Sequence, residues 1–486
     1  MNRIVCLVFA AALPFASGLA AARALPPKEQ PTARERELED LVRKLTGHVK
    51  RLESRLDKVE GKTSGNATEE RVKKLEQRVE TIDNARPPDV NSEEWAKIRK
   101  WVDDSTTLRP YWHDALHFDS NDGSIKLKMG GRIHSDFTYF AEDGDLERRM
   151  GSNFNDGSEF RRARFYFAGT IYDDIEFKTQ YDFAGGDADF KDVYLAMKHL
   201  PKVGNLKIGQ FKEPFGLEEL TSSNYITFME RSLASIFAPS RNTGFMIHNT
   251  ACHKRVTWAA GVFRQADAFG NSRDSAGGRP YDFTTRVTGL PVYEDGGKKL
   301  VHVGVGYTHR NYQDDKVRFR ERPEVHISPR VVDTGSFHAE SGDFVELEAA
   351  MVDGPFSAQA EYVHAFIDGA SRRAGNPQFW AGTVQVSYFL TGEHRPYKTS
   401  SGTFSRVKPL KNYTRDGGPG AWEVAGRFSY LTLNDGHVRG GRVKDVTLGL
   451  NWYLNPNVRT MWNYVWSDPA KGGDLSAFMW RFQVAF

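Results

Sequence analysis

The 486-residue chain predicts an all-β transmembrane barrel of about 16 antiparallel strands, preceded by a short α-helical coiled coil. Three observations carry that prediction. With 27% charged residues and a mean hydropathy of −0.55, the chain is too polar for a bundle of membrane-spanning helices. From about Ile125 to the last residue, apolar and polar side chains alternate with period two. The alternating segments are joined in turn by tight turns and long polar loops, the pattern of an outer-membrane barrel.

The elements follow in order. Residues 1–24 read as a secretory signal peptide: Arg3 supplies the positive flank, Ile4 to Phe15 is apolar but too short to span a bilayer, and Ala20 to Ala24 offers small residues for cleavage. Residues 25–90 form a periplasmic segment and linker. Leu38, Leu41, Leu45 and Leu52, then Val72, Leu75, Val79 and Ile82, fall on a and d positions of heptads, interrupted by Gly61 to Asn66, so a self-associating coiled coil is expected. Arg86-Pro87-Pro88 ends it. Over 91–117 a helical connector is expected, with Ser92 as N-cap ahead of Glu93 and Glu94.

Residues 118–486 are the barrel. Ile175, Phe177, Thr179, Tyr181 and Phe183 share one face, and Glu176, Lys178, Gln180 and Asp182 the other. Leu448, Leu450 and Trp452 alternate with Thr447, Gly449, Asn451 and Tyr453 in the same way. Tyr172-Asp173-Asp174, Asp353-Gly354-Pro355 and Asn455-Pro456-Asn457 read as the tight turns. A soluble sandwich could also alternate, but it would bury its apolar face and would not need aromatic residues concentrated at strand ends. The chain stops at Phe486, with Trp480, Phe482 and Val484 on the same parity. A terminal aromatic of this kind is what the barrel assembly machinery recognises, so Phe486 is read as the assembly signal and the location as the outer membrane of a Gram-negative-type bacterium.

Four runs carry a resemblance: EFRRARFYFAGTIYDDIEFKTQYDFA (159–184), KIGQFKEPFGLEELTSSNYITFMER (207–231), LTGEHRPY (390–397) and LGLNWYLNPNVR (448–459). In this order they are similar to the phosphate- and polyphosphate-selective porin family, over most of the chain after about Lys126. The resemblance implies a 16-stranded barrel assembling as a homotrimer, an extracellular loop folded into the pore, and a passive anion channel in which arginines and lysines guide phosphate, pyrophosphate or polyphosphate.

Strand parity locates candidate anion-guiding residues independently. If Ala163, Phe165, Phe167 and Ile171 face lipid, Arg162 and Arg164 face the lumen, with guanidiniums about 6.8 Å apart along the wall. Arginine keeps its charge and presents a fork of donors to an oxyanion. Arg161 has the wrong parity unless it lies at the rim or on a bulge, although the family pattern would include it. Arg318, Arg320 and Arg322 share a face opposite Val317 and Phe319, either a cationic ladder for ions or a loop pairing with lipopolysaccharide phosphates. Lys178 is a further candidate. The connection from Lys212 to Thr243 is expected to fold inward. It contains Arg231 and Arg241, but its four glutamates outnumber its three basic residues, a poor composition for an anion filter. Thr391 to Gly420 is much longer than a periplasmic turn should be.

Other function classes fare worse. Charge is nearly balanced, 66 basic against 63 acidic residues, which gives no signal for nucleic acid. Two cysteines exclude a disulfide scaffold, and Cys6 falls in the signal segment. No nucleophile elbow, zincin or phosphate-loop motif is present, so neither an enzyme nor a cofactor is expected. His248 and Cys252 would lie about 13.6 Å apart on a strand, too far to share one metal ion. Two alternatives stay open: a weakly selective porin whose coiled coil tethers the cell envelope, and, further off, an outer-membrane hydrolase. Expected partners are phosphate-type anions, outer-membrane lipid including lipopolysaccharide, the assembly machinery and two further copies of the chain.

Overall fold

A computed structural model describes residues 107–486, apart from 143, 152, 273–280, 371–374 and 471–472. The chain divides into two units, Met1–Asp104 and Ser105–Phe486, and only the second is described. The expected signal peptide and coiled coil therefore lie outside the described residues. The connector expected to be helical through residue 117 is different over its described part. Leu108–Trp112 (β1) and Leu116–Ser120 (β2) form an antiparallel hairpin whose second strand pairs with the start of the barrel. The expected helix does not extend over these residues, because Pro110 and the aromatic residues Tyr111, Trp112 and Phe118 favour extended chain.

Among the described residues, sixteen antiparallel strands close into a barrel: Ile125–Glu142 (β3), Gly157–Ile171 (β4), Ile175–Asp182 (β5), Asp189–Leu200 (β6), Gly204–Lys212 (β7), Arg241–Ala251 (β8), Val256–Arg264 (β9), Asp282–Glu294 (β10), Lys299–Asn311 (β11), Ser341–Asp353 (β12), Phe356–Asp368 (β13), Gln378–Phe389 (β14), Ala421–Asp435 (β15), Val438–Asn455 (β16), Val458–Pro469 (β17) and Leu475–Ala485 (β18). The last strand pairs with the first, from Leu475 against Glu142 to Ala485 against Arg132, so no edge remains in the wall. Phe486 adds one more pair: its N–H donates to the Gly131 carbonyl (3.0 Å), and the Gly131 N–H donates back to the Phe486 carbonyl (2.5 Å). Gly131 has to be glycine here, because a Cβ would stand 2.8 Å from the Phe486 ring.

The expected tight turns are present at Tyr172–Asp174, Gly354–Pro355 and Pro456–Asn457, all at one end of the barrel. Side chains alternate as expected. Leu448, Val384, Leu347 and Phe428 project outward and are about half exposed, whereas Asp445, Thr447, Asn451 and Ser429 project inward and are almost wholly buried. Apolar outside and polar inside is the reverse of a soluble sandwich and fits a wall in contact with lipid. Outward aromatics gather into two belts. Trp422 stacks on Trp452 (5.0 Å) and lies 6.4 Å from Trp462 near the turn end, and Trp380 stacks on Tyr430 (4.7 Å) nearer the loop end. Trp422 and Tyr430 are eight residues apart on β15, roughly 27 Å along the strand and about 20 Å in height at the usual strand tilt, close to the apolar band of such barrels.

At the loop end the lumen is capped by a core. Phe237, Phe319, Phe344 and Phe379 pack at ring distances of 5.6–6.3 Å, joining loops 213–240 and 312–340 to β12 and β14. That side of the lumen is thereby filled, and the cavities border β4 and β6–β10 instead.

Candidate functional site

The side that borders the cavities carries the bases. β4 has a register shift opposite β3: Arg162 pairs with His134 and Phe160 with Ser135, so Arg161 is the extra residue of a bulge. Phe160 stays on the lipid face, 64% exposed, while both Arg161 and Arg162 turn inward. Strict parity sets Arg161 off the lumen, and the bulge is the exception that brings it in. Arg161 makes a two-pronged pair with Glu230 (2.9 and 2.9 Å). Arg162, 3% exposed, lies 3.5 Å from His134 Nδ1 and 3.9 Å from Glu230. Arg164 is inward as expected and donates to Asp182 (2.7 Å).

Lys178 and Arg241 share one carboxylate, Asp192 (2.5 and 2.7 Å), from opposite sides. Three further bases on β3 and β7 were not among the expected guides. Arg132 on β3 donates to the hydroxyls of Ser222 (3.2 Å) and Ser223 (2.9 Å). Lys207 on β7 lies over the rings of Tyr194 (4.3 Å) and Phe211 (5.4 Å). Lys212 pairs with Glu219 (2.9 Å). The same parity rule applied to β3 and β7 would have found Arg132 and Lys207, since Arg132 sits two residues from inward His134 and Lys207 four residues from inward Phe211.

Residues 213–240 fold into the lumen, as the length of that connection predicts, and anchor on the far wall. The Gly216 N–H donates to Glu346 (2.6 Å), Glu218 N–H to Glu361 (2.9 Å) and Met229 N–H to Asn463 (2.8 Å). In return Arg459 donates to the Ile226 carbonyl (3.0 Å) and Arg481 to the Met229 carbonyl (2.6 Å). Phe228 fits against Gly449, where a Cβ would meet its ring at 3.1 Å, with the Arg427 guanidinium 4.4 Å above that ring. Every glutamate of the loop is occupied. Glu213 accepts from Asn242 (2.6 Å), Glu218 from Arg427 (3.1 Å), Glu219 from Lys212 and Arg231 (2.9 Å each), and Glu230 from Arg161 and Arg481 (2.8 Å). Burial by itself would raise the Glu219 carboxyl, but Arg231, Lys212 and Arg241 outweigh it and hold the group at about 2. Three of the four glutamates are thus paired with bases, and Glu213 is held by the neutral Asn242 and Thr284.

Two cavities flank the loop. Toward the loop end, about 200 Å³ is lined by Arg161, Arg231 and Arg322 with Glu230, Glu324 and His326. Toward the turn end, about 300 Å³ is lined by Lys207, Lys212, Arg286, Asp192, His248 and Ser401. The structure therefore brings together Arg161, Arg231 and Arg322 in one vestibule and sets Arg162, Arg164, Lys178 and Arg241 along the wall beyond it. Arg318 and Arg320 do not join them. Val317 and Phe319 are buried as the parity requires, but the opposite face looks outward from the loop, and Arg318 is paired with Asp333 (2.8 Å). Only Arg322, tied to the Ser328 carbonyl (2.7 Å), reaches the vestibule.

The overlong connection 390–420 is an insertion from the turn end. Tyr397 Oη lies 2.7 Å from His302 Nδ1, Arg286 donates to the Gly402 carbonyl (2.9 Å), and Arg395 donates to Gln359 (2.8 Å). Arg406 donates to Tyr225 Oη (3.3 Å) and so links the insertion to the inward loop. His248 and Cys252 stay apart in role: His248 lines the lower cavity and Cys252 is exposed in a turn. His113, Asp114 and His117 do converge in the β1–β2 hairpin, but Lys128 already donates to both oxygens of Asp114 (3.0 and 2.9 Å) and Arg406 stands 3.9 Å away, so that carboxylate serves as an anchor for cations.

Comparison with known proteins places these features in context. Residues 127–486 match the family model described as phosphate-selective porin O and P. Porin O of Pseudomonas aeruginosa is 29% identical over 414 residues, covering 76% of this chain and 91% of that protein. A protein of Caulobacter vibrioides is 29% identical over 378 residues, covering 75% and 73%. Among solved structures, OmpT of Vibrio cholerae matches with 11% identity and a TM-score of 0.48 over 75% of this chain and 98% of that one. An anion-selective porin from Comamonas acidovorans matches with 11% identity and a TM-score of 0.47 over 74% and 100%.

Proposed function

Since this chain belongs to the family of phosphate-selective porins O and P, we propose that it is a passive outer-membrane channel that passes anions in preference to cations, with phosphate, pyrophosphate or polyphosphate as cargo. One observation carries the reading from family to mechanism. The open side of the lumen presents a continuous run of bases, while the acids of the opposite wall lie behind the inward loop. Glu346, Glu348 and Glu361 are buried there, and Glu348 is further held by Arg286 (2.9 Å) and His302 (3.1 Å).

An incoming oxyanion first meets Arg161, Arg231 and Arg322. It then passes Arg162, Arg132 and Arg164, and leaves past Lys178, Arg241, Lys207 and Lys212. Each base except Arg132, Lys207 and Arg322, whose guanidinium donates to the Ser328 carbonyl, has a carboxylate within 4 Å, so the sites are shallow and the ion is handed on without being trapped. Arg132, bonded to hydroxyls, and Lys207, over aromatic rings, supply the least compensated charge and are the positions where a multivalent anion lingers. The same compensation also supports a milder version, a preference for anions in general with little discrimination among oxyanions. We further propose that three copies assemble through their walls, and that the assembly machinery reads Phe486. The test is electrical: reversal potentials in a salt gradient give the sign of selectivity, and block of chloride current by added phosphate gives the preference. A cation-selective reversal potential overturns the first proposal, and phosphate that leaves chloride current unchanged up to molar concentration overturns the second.

A further inference from the structure

We propose that the loop end of β16 is a docking site for the phosphorylated headgroup of lipopolysaccharide, a reading that rests on the outer-membrane location. β16 carries three outward cations at that end, Arg439, Arg442 and Lys444, and both arginines are exposed. Inward positions fix their direction. Val438 and Val443 are buried, and Gly440 and Gly441 are pressed against Thr334 and Val332 of loop 312–340, so the arginines between them project from the outer surface.

Their height on the barrel is given by the sheet register. Lys444 pairs with Tyr430, the residue that stacks on Trp380, and Arg442 pairs with Thr432, which in turn pairs with Trp380. The cations thus begin at the upper aromatic belt and continue beyond it. Aromatic belts mark the boundary between hydrocarbon and headgroups. On the extracellular side that boundary holds the phosphates of the outer leaflet, and an arginine is far less costly there than at mid-membrane.

Charge complementarity selects the occupant. At the corresponding ends of β12, β13 and β17 the outward residues are Asp343, Asp368 and Asp468, which repel a phosphate, so these strands do not share the basic face of β16. Asp468 lies 3.6 Å from Lys444 and Asp435 accepts the Gln378 N–H, which leaves the two arginines to the ligand. Arg442 and Lys444 are two residues apart, about 6.8 Å. With Arg439 one bulge further along from Arg442, the two arginines can grip a headgroup bearing two phosphates at separate points, each through forked hydrogen bonds.

The full-length protein in detergent, titrated with bisphosphoryl lipid A and read by native mass spectrometry, tests this. Binding should weaken about tenfold in R439Q/R442Q, by an intermediate factor in either single variant, and little in R439K/R442K. Monophosphoryl lipid A should bind the wild type less well, and equimolar inorganic phosphate should not displace the lipid. Single-channel conductance and selectivity of R439Q/R442Q should equal the wild type, which keeps this test separate from that of the channel. Equal lipid retention by wild type and double variant, displacement by inorganic phosphate, or a change in subunit number in place of lipid loss would each overturn the proposal.

Discussion

Across the first two wall strands Arg132 pairs with Arg164 and Arg162 with His134, and on the proposed route the charge of Arg132 and Arg162 is what a passing anion meets. A unit charge at 4 Å is worth about 1 kcal/mol in water-like surroundings and more in a confined lumen, a factor of roughly five or more in relative permeability. Replacing both by Gln should therefore move the reversal potential measurably toward zero at low salt, and 1 M salt should erase most of the difference, because screening shortens to about 3 Å. Arg318→Gln, on the outer face of its loop, should change nothing in the same recording. Glu219 sets a second expectation. Its folded-state value of about 2 lies below that of the unfolded chain, so its pairs contribute stability in full above the ordinary carboxylate range and lose it only as pH falls toward 2. Selectivity should stay flat from pH 8 to about 5 as far as this residue is concerned, and E219Q should mimic in neutral buffer the loosening that wild type shows only in strong acid. Parity made Arg162, Arg164 and Lys178 legible. It failed at Arg161 because a bulge inserts one residue that a strict period of two cannot carry, and only the partner strand reveals where.

The inward loop was legible from length, whereas its electrostatics were not. Counting residues 212–243 gave more acid than base, but the partners that neutralise Glu218 and Glu230 are Arg427 and Arg481, about 200 or more residues away in sequence. No local composition contains that information. The insertion 390–420 was visible only as a turn of anomalous length, and its polar contacts with β10, β11 and β13 explain the excess. Replacing residues 395–408 with a short flexible turn should raise single-channel conductance, since it empties space beside the lower cavity, while heat-modifiable migration shows the barrel intact. Conductance equal to wild type would place the limiting section elsewhere. The heptad segment lies outside the described residues. L75D/V79D should abolish crosslinking between those segments and leave barrel association unchanged, and loss of barrel association would refute assembly through the barrel walls.

At the scale of the whole molecule, the alternation, turn spacing and terminal aromatic sufficed for the barrel, because a wall between lipid and water has to show one face of each kind. What they could not give is how full the lumen is. Deleting Phe486 removes its backbone pair with Gly131 and one side chain, so the finished barrel should lose little stability while assembly slows. A time course of heat-modifiable species, compared with the melting temperature of the purified product, separates the two effects. Variants that assemble at the wild-type rate would remove Phe486 as the assembly signal.

The seam of the cylinder has a mechanical meaning. Arg481 on β18 grips Asp136 on β3 (2.7 and 2.6 Å) across the closing strand pair, and with the same guanidinium holds Glu230 of the loop (2.8 Å). Strand pairing fastens this joint from within the wall, and the ionic clasp fastens it from the inside like a bolt across a door. If the last hairpin were pulled from its end by a tethered probe, the clasp would stand directly behind the strand hydrogen bonds, and the two would have to rupture together. The joint most exposed to opening is thus the one that yields in a single high-force event, and Arg481→Lys, which keeps the charge but gives up the fork, should split that event into two weaker ones.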